Sequence, residues 1–251
     1  MGAMTFSTPF SVADGRESGV ARVLVVAAHP DDVDFGVAGS VALWTDAGID
    51  VSYCIVTDGD AGGFDRSIGR AEMATIRREE QRAAAAVVGV HELHFLGYPD
   101  GALVASTELR RDISRLFRSL RPDRVVCQSP ERNWDALGAS HPDHLAAGDA
   151  TVGAFYPDAR NPFAHPELLA EGLEPHVVGE LWLAAHPHPN RAVDVTETFD
   201  RKIAALRCHV SQVAEGEWLR ERVGAWLAAG ARRAGLAEGH LAEVFRVVSA
   251  P

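Results

Sequence analysis

Short apolar runs bounded by turn residues alternate along the chain with stretches whose apolar positions recur every three or four residues. The pattern predicts strands at Val23 to Ala28, Val51 to Thr57, Leu93 to Phe95 and Arg124 to Cys127. Between them it predicts helices over Gly36 to Ala47, Glu72 to Val88 and Glu108 to Arg118. A loop and a helix from about His144 to Phe155 follow, then a proline-rich excursion from Tyr156 to His176 that reads as a surface insertion. The remainder predicts strands at Leu181 to Ala184 and Ala192 to Val195 and helices near Glu197 to Cys208 and Glu217 to Arg232. Parallel strands need crossover connections, so this rhythm implies an α/β fold: a mainly parallel sheet with helices on both faces. Residues 1–251 read as a single domain in which 1–19 form a polar extension. Open parallel sheets bind ligands beyond the carboxyl ends of their strands, which directs attention to the segments after Ala28, Thr57, Phe95 and Cys127.

The segment after the first strand reads His29-Pro30-Asp31-Asp32. A helix cap needs one short polar side chain, and either aspartate could supply it. Three polar groups crowded at one strand terminus repel one another, and a divalent cation removes that conflict. The segment after the fourth strand supplies a complement, His141-Pro142-Asp143-His144. On a helical first turn, two histidines three residues apart point to one side, towards a common ion or reacting group. The plainer alternative leaves one histidine on a backbone carbonyl and the other on the surface. Both clusters emerge at the same sheet edge, so a His/Asp/His set can meet at one metal with a coordination position to spare, as in catalytic zinc sites.

Composition narrows the field. The 251 residues carry 24 Lys and Arg against 35 Asp and Glu, a net charge of −11 that disfavours nucleic acid as a partner and suits a small neutral or cationic substrate. The longest apolar runs are far shorter than the roughly 20 residues of a membrane-spanning helix, so no membrane association is expected. Cys54, Cys127 and Cys208 are odd in number and set among apolar residues, which suits reduced thiols in the cytoplasm. The polar start lacks a secretory signal, and Gly2-Ala3-Met4 has the look of a cloning remnant. Oligomeric state is open, a homo-oligomer included.

The stretches Val25-Val26-Ala27-Ala28-His29-Pro30-Asp31-Asp32 and Ser140-His141-Pro142-Asp143-His144 resemble the LmbE-like, or PIG-L, family of zinc-dependent de-N-acetylases. The resemblance extends through Thr57-Asp58-Gly59-Asp60, Ile76-Arg77-Arg78-Glu79-Glu80 and Leu96-Gly97-Tyr98-Pro99-Asp100-Gly101, and weakens after Tyr156. It implies a Rossmann-like sheet and hydrolysis of an N-acyl group, acetyl first among them, on an amino-sugar-type substrate, with one zinc ion per chain held by His29, Asp32 and His144. It further implies Asp31 as general base, His141 as acid or oxyanion stabiliser, and substrate contacts from Asp60, Arg77 and Asp100. Asp143 is expected to orient His141 and support its charged form. Two departures stand out: Val33-Asp34 where many relatives have glutamate, and Ala139 and Ser140 where some carry a tyrosine. Tyr98 or Tyr156 could replace that phenol, or His141 and the zinc suffice without one.

Two rival readings remain at this level. Gly36-Val37-Ala38-Gly39 suggests a nucleotide loop, but dinucleotide loops place glycine where His29 to Asp32 stand. Within the hydrolase reading, an amidase of thiol-sugar conjugates shares the same core chemistry, and the walls at Gly62 to Gly69 and Tyr156 to His176 decide the substrate.

Overall fold

The computed structural model describes residues 10–13, 19–213 and 218–250. Among them eight strands form one sheet: β1 (Ser11–Ala13), β2 (Arg22–Ala27), β3 (Asp50–Thr57), β4 (Glu92–Tyr98), β5 (Arg124–Gln128), β6 (Glu180–Ala184), β7 (Arg191–Asp194) and β8 (Ala242–Ser249). The helices are α1 (Asp32–Gly36), α2 (Ala38–Asp46), α3 (Arg70–Val87), α4 (Thr107–Leu120), α5 (Pro142–Gly153), α6 (Pro166–Ala170), α7 (Phe199–Leu206) and α8 (Trp218–Arg233). Strands lie in the order β1-β7-β8-β6-β5-β2-β3-β4. Strand β8 runs antiparallel to β6 and β7, and every other pairing is parallel.

Helices cover both faces, as the strand pattern requires. Side chains alternate across β2, so Val23, Val25 and Ala27 enter one buried cluster and Leu24 and Val26 the other. The first cluster is closed by apolar residues of α2, α3, α7 and α8, and the second by those of α4 and α5. Helix α4 shows how its sequence achieves this. Leu109, Ile113, Leu116 and Phe117 recur at helical spacing and are buried, and the Ser106 side chain caps the start by accepting from the Leu109 amide. Chain order runs from β2 outward through β3 and β4, then crosses back to β5 on the other side of β2. The crevice between β2 and β5 is therefore the point where connections diverge, the usual ligand position in such sheets.

Several boundaries differ from the expectation. Strands β1 and β8 were not foreseen: Ser11–Ala13 lies inside the stretch read as an extension, whose residues 1–9 and 14–18 fall outside the described residues. The helix expected over Gly36 to Ala47 is two helices, broken at Val37 (φ −144°, ψ 1°). Helix α5 begins at Pro142 instead of His144, because proline suits a first helical turn and His141 stands before it as the cap. The helix expected from Glu217 is described from Trp218.

Strand β8 fixes the site-bearing helices in place. Its Glu243 carboxylate accepts from the Gly39 and Ser40 amides and the Ser40 hydroxyl at the start of α2. The Lys202 ammonium lies 2.7 Å from Glu243 and donates to the Phe35 carbonyl of α1. Gly39 permits this approach, since a Cβ there would stand 2.8 Å from the Val195 Cβ and 3.1 Å from Glu243 Oε1. That glycine serves close packing, not a phosphate. The excursion after Tyr156 is pinned from α4: Arg118 donates to the carbonyls of Asp158, Asn161 and Ala164, and Arg110 pairs with the Asp158 carboxylate. Among the described residues no helix is long and apolar enough to cross a membrane.

Candidate metal centre and active site

The residues singled out at the ends of β2 and β5 meet at one sheet edge. The rings of His29, His141 and His144 have centroids 5.1 to 5.4 Å apart. Asp32 joins two of them: one oxygen lies 3.1 Å from His29 Nδ1 and the other 3.1 Å from His144 Nε2. Asp32 also accepts from the His29 amide at 2.7 Å, which ties the first-motif turn to its own carboxylate.

The opposite nitrogens of these histidines are already committed. His29 Nε2 faces Asp100 Oδ1 at 3.0 Å and Asp143 Oδ2 at 3.2 Å, acceptors that hold its proton on Nε2. His144 Nδ1 faces the Ala139 carbonyl at 3.2 Å, which holds its proton on Nδ1. The nitrogens on the Asp32 side bond to that carboxylate, and each would have to give up its proton to bind a metal there, as histidine does while its other nitrogen donates outward.

Ligand-type atoms of two sets, His29 with His141 and His144, and His29 with Asp100 and Asp143, lie within 4.8 Å of one another. In the second set Asp143 also accepts from the Gly101 and Leu103 amides and Asp100 from the Ala61 amide, so both carboxylates are oriented by backbone donors as they face His29. In the absence of a cation, burial lowers the His29 pKa, but hydrogen bonds to Asp100 and Asp32 outweigh it and push it up to about 11. A positive charge is what this cluster of carboxylates calls for.

Asp31 sits at the start of α1 yet makes no capping bond with its side chain. Its backbone lies at φ 92°, a left-handed conformation that costs a non-glycine residue about 1–3 kcal/mol and persists only when neighbours enforce it. Burial, then repulsion from Asp32, raise its pKa to about 7, with Arg77 opposing. Arg77 is 4% exposed, and its guanidinium donates to Pro30 O, Gly59 O and Asp31 Oδ2. Gly59 has φ 62°, and a Cβ there would stand 2.4 Å from Arg77 Nη1, so glycine is required where this arginine crosses.

The other residues expected at the site lie around this centre. The Asp143 carboxylate faces His29 and, on the first turn of α5, accepts from the Gly101 and Leu103 amides, while its own amide donates to His141. His141 does not lie on the helical turn; it caps α5, its Nδ1 accepting from the Asp143 amide at 3.2 Å, which leaves Nε2 as its protonated nitrogen. Burial and the neighbouring His29 and His144 hold its pKa below the ordinary value. Arg77 and Asp100, expected at the substrate, contact Asp31 and His29, and Asp60 pairs with the exposed Arg70. Tyr98 donates to Asp112 at 2.8 Å and Tyr156 lies under the Arg160 guanidinium, so neither contact supplies a phenol to this centre.

Sequence reasoning missed Gln81, Asp34 and His209. Gln81 accepts from the Asp31 amide and donates to Asp34, which also receives His209. A signal for the first existed: Gln81 follows Arg77 by four residues, on the same face of α3.

An imidazole and carboxylate cluster at the branch point of an open parallel sheet defines a metal-dependent hydrolase of the Rossmann-like α/β class. Residues 24–155 match the PIG-L family, described as GlcNAc-PI de-N-acetylase, and the chain belongs to it. It is 34% identical to the diacetylchitobiose deacetylase of Thermococcus kodakarensis, over 79% of this chain and 73% of that protein. It is 31% identical to a probable N-acetyl-alpha-D-glucosaminyl L-malate deacetylase 2 of Bacillus anthracis, over 77% and 82% respectively. The solved N,N'-diacetylchitobiose deacetylase of Pyrococcus horikoshii, bound to the inhibitor MPG, superposes with a TM-score of 0.85 at 29% identity, covering 92% of this chain and 85% of that one.

Proposed function

We propose that the chain is a zinc-dependent deacetylase of N-acetylglucosamine-type small molecules, with His29 Nδ1, Asp32 and His144 Nε2 as the ligands of one metal ion. The observation that carries this reading is the outward commitment of His29 Nε2 and His144 Nδ1 to protein acceptors, which leaves the other two nitrogens facing one carboxylate. Two neutral imidazoles and a carboxylate are a donor set that zinc accepts with a coordination position left over. When bound, the metal supplies Lewis acidity towards water and an amide carbonyl.

The chain's own residues supply the rest. Asp31, its carboxylate paired with Arg77, takes a proton from the attacking water as the new C–O bond forms. The Nε2–H of His141 donates to the oxygen that gains charge. The proton held on Asp31 passes to the amide nitrogen, the C–N bond breaks, and the acyl group leaves as a carboxylic acid whose remaining proton goes to the freed amine, giving a carboxylate and an ammonium group on the sugar. Asp60, 21% exposed and paired with Arg70, is the acid kept for sugar hydroxyls at the mouth. Free cysteines without a disulfide suit a cytoplasmic enzyme.

Amine release from N,N'-diacetylchitobiose by the zinc-loaded protein tests the reading. Turnover that a chelator abolishes and zinc restores is expected; turnover indifferent to chelator contradicts it.

A further inference from the structure

Arg77 holds the Asp31 carboxylate, but no side-chain cap supports the left-handed backbone of Asp31. Its amide donates to Gln81 Oε1 at 2.8 Å. Gln81 is fully buried on α3, and its Nε2 donates at 2.9 Å to Asp34 Oδ2, which receives His209 Nε2 at 2.8 Å. Both neighbours of the amide dictate its orientation: an N–H donor requires the oxygen, and a carboxylate requires the nitrogen. Glutamate would set a second carboxylate against Asp34, and an apolar residue would leave the Asp31 amide and Asp34 unanswered. The chain of bonds is also costly to keep. Asp34 Oδ1 and His209 Nδ1 are buried without a hydrogen bond among the described residues, in a place that apolar side chains could fill.

We infer that Gln81, anchored by the Asp34–His209 pair, is a positioning residue for Asp31: it locks the Asp31 peptide in its left-handed conformation and so keeps the carboxylate on Arg77, beside Asp32 and off the metal. This rests on Asp31 being the base. The two claims separate experimentally. Gln81→Met matches the side chain in size and withdraws both bonds, and Gln81→Asn, too short to span them, serves if the methionine variant does not fold. Each is measured for kcat, KM and zinc content in the wild type and in Asp31→Asn.

The expected result is a kcat lower by about 10- to 100-fold, the usual cost of a misplaced reacting group, with KM and zinc content unchanged. In the Asp31→Asn background the same change should cost less than about 3-fold, because a residue acting through Asp31 has little left to position. Equal losses in both backgrounds, or wild-type kcat in the Gln81 variants, overturn the inference while leaving the deacetylase reading intact. Full activity of Asp31→Asn alone removes the reading beneath it.

Discussion

Replacing Asp143 by Asn separates two jobs that its position allows. The carboxylate is 1% exposed; one oxygen faces His29 Nε2 at 3.2 Å and the Gly101 amide at 2.7 Å, and the other takes the Leu103 amide at 3.2 Å. Asparagine can keep its oxygen on the side of His29 and Gly101, but its NH2 then opposes the Leu103 N–H, and the negative charge behind the imidazole is gone. Loss of such a partner weakens metal binding by about 10- to 100-fold, or about 1.4–2.7 kcal/mol. Asp100 Oδ1 still accepts from His29 Nε2 at 3.0 Å, so the single variant should fall near the low end and Asp100→Asn/Asp143→Asn near the high end. Zinc affinity from competition with a chelator of known strength is the assay. An unchanged zinc Kd together with a lowered kcat would refute the argument, because it would put Asp143 behind His141.

Other expectations follow from the same contacts. Asp31→Asn should keep its zinc and lose about 10²- to 10⁴-fold in kcat, the span of general acid–base catalysis, read by amine release. Tyr98→Phe should leave kcat unchanged, since that hydroxyl is bonded to Asp112 and not aimed at the centre; a large loss would restore the phenol to the mechanism. Lys202→Met strands the Glu243 carboxylate, 3% exposed, and should destabilise the fold by about 3–5 kcal/mol. Calorimetry should show a Tm lower by about 6–20 °C, and Glu243→Gln in the same chain should recover part of the loss.

The part of the fold between β2 and α5 was legible because its information is local. Apolar strands, helical periodicity and two H-P-D turns lie in consecutive stretches, and parallel connections bring their carboxyl ends to one edge without further instruction. The meeting of the two clusters needed nothing more, whereas the choice of His29, Asp32 and His144 within them came from the family resemblance. Strand β8 was missed because Glu243 interrupts its apolar run, and that residue is buried only because Lys202 and the start of α2 surround it. Gln81, Asp34 and His209 escaped for a similar reason: each looks like a surface residue until segments 175 positions apart in the chain are brought together. The contact of Asp143 with His29 was not legible because spacing along a helix says which residues share a face, not that a capping residue has left the helix.

Zinc content after loading and desalting, measured in parallel on the wild type, His29→Ala, Asp32→Ala and His144→Ala, bears on the proposed centre most directly. About one zinc ion per chain in the wild type and marked loss in all three variants is the predicted outcome. Stoichiometric zinc in folded His144→Ala, or its loss only on replacing Asp100 or Asp143, would contradict the account and move the metal to the other side of the His29 ring.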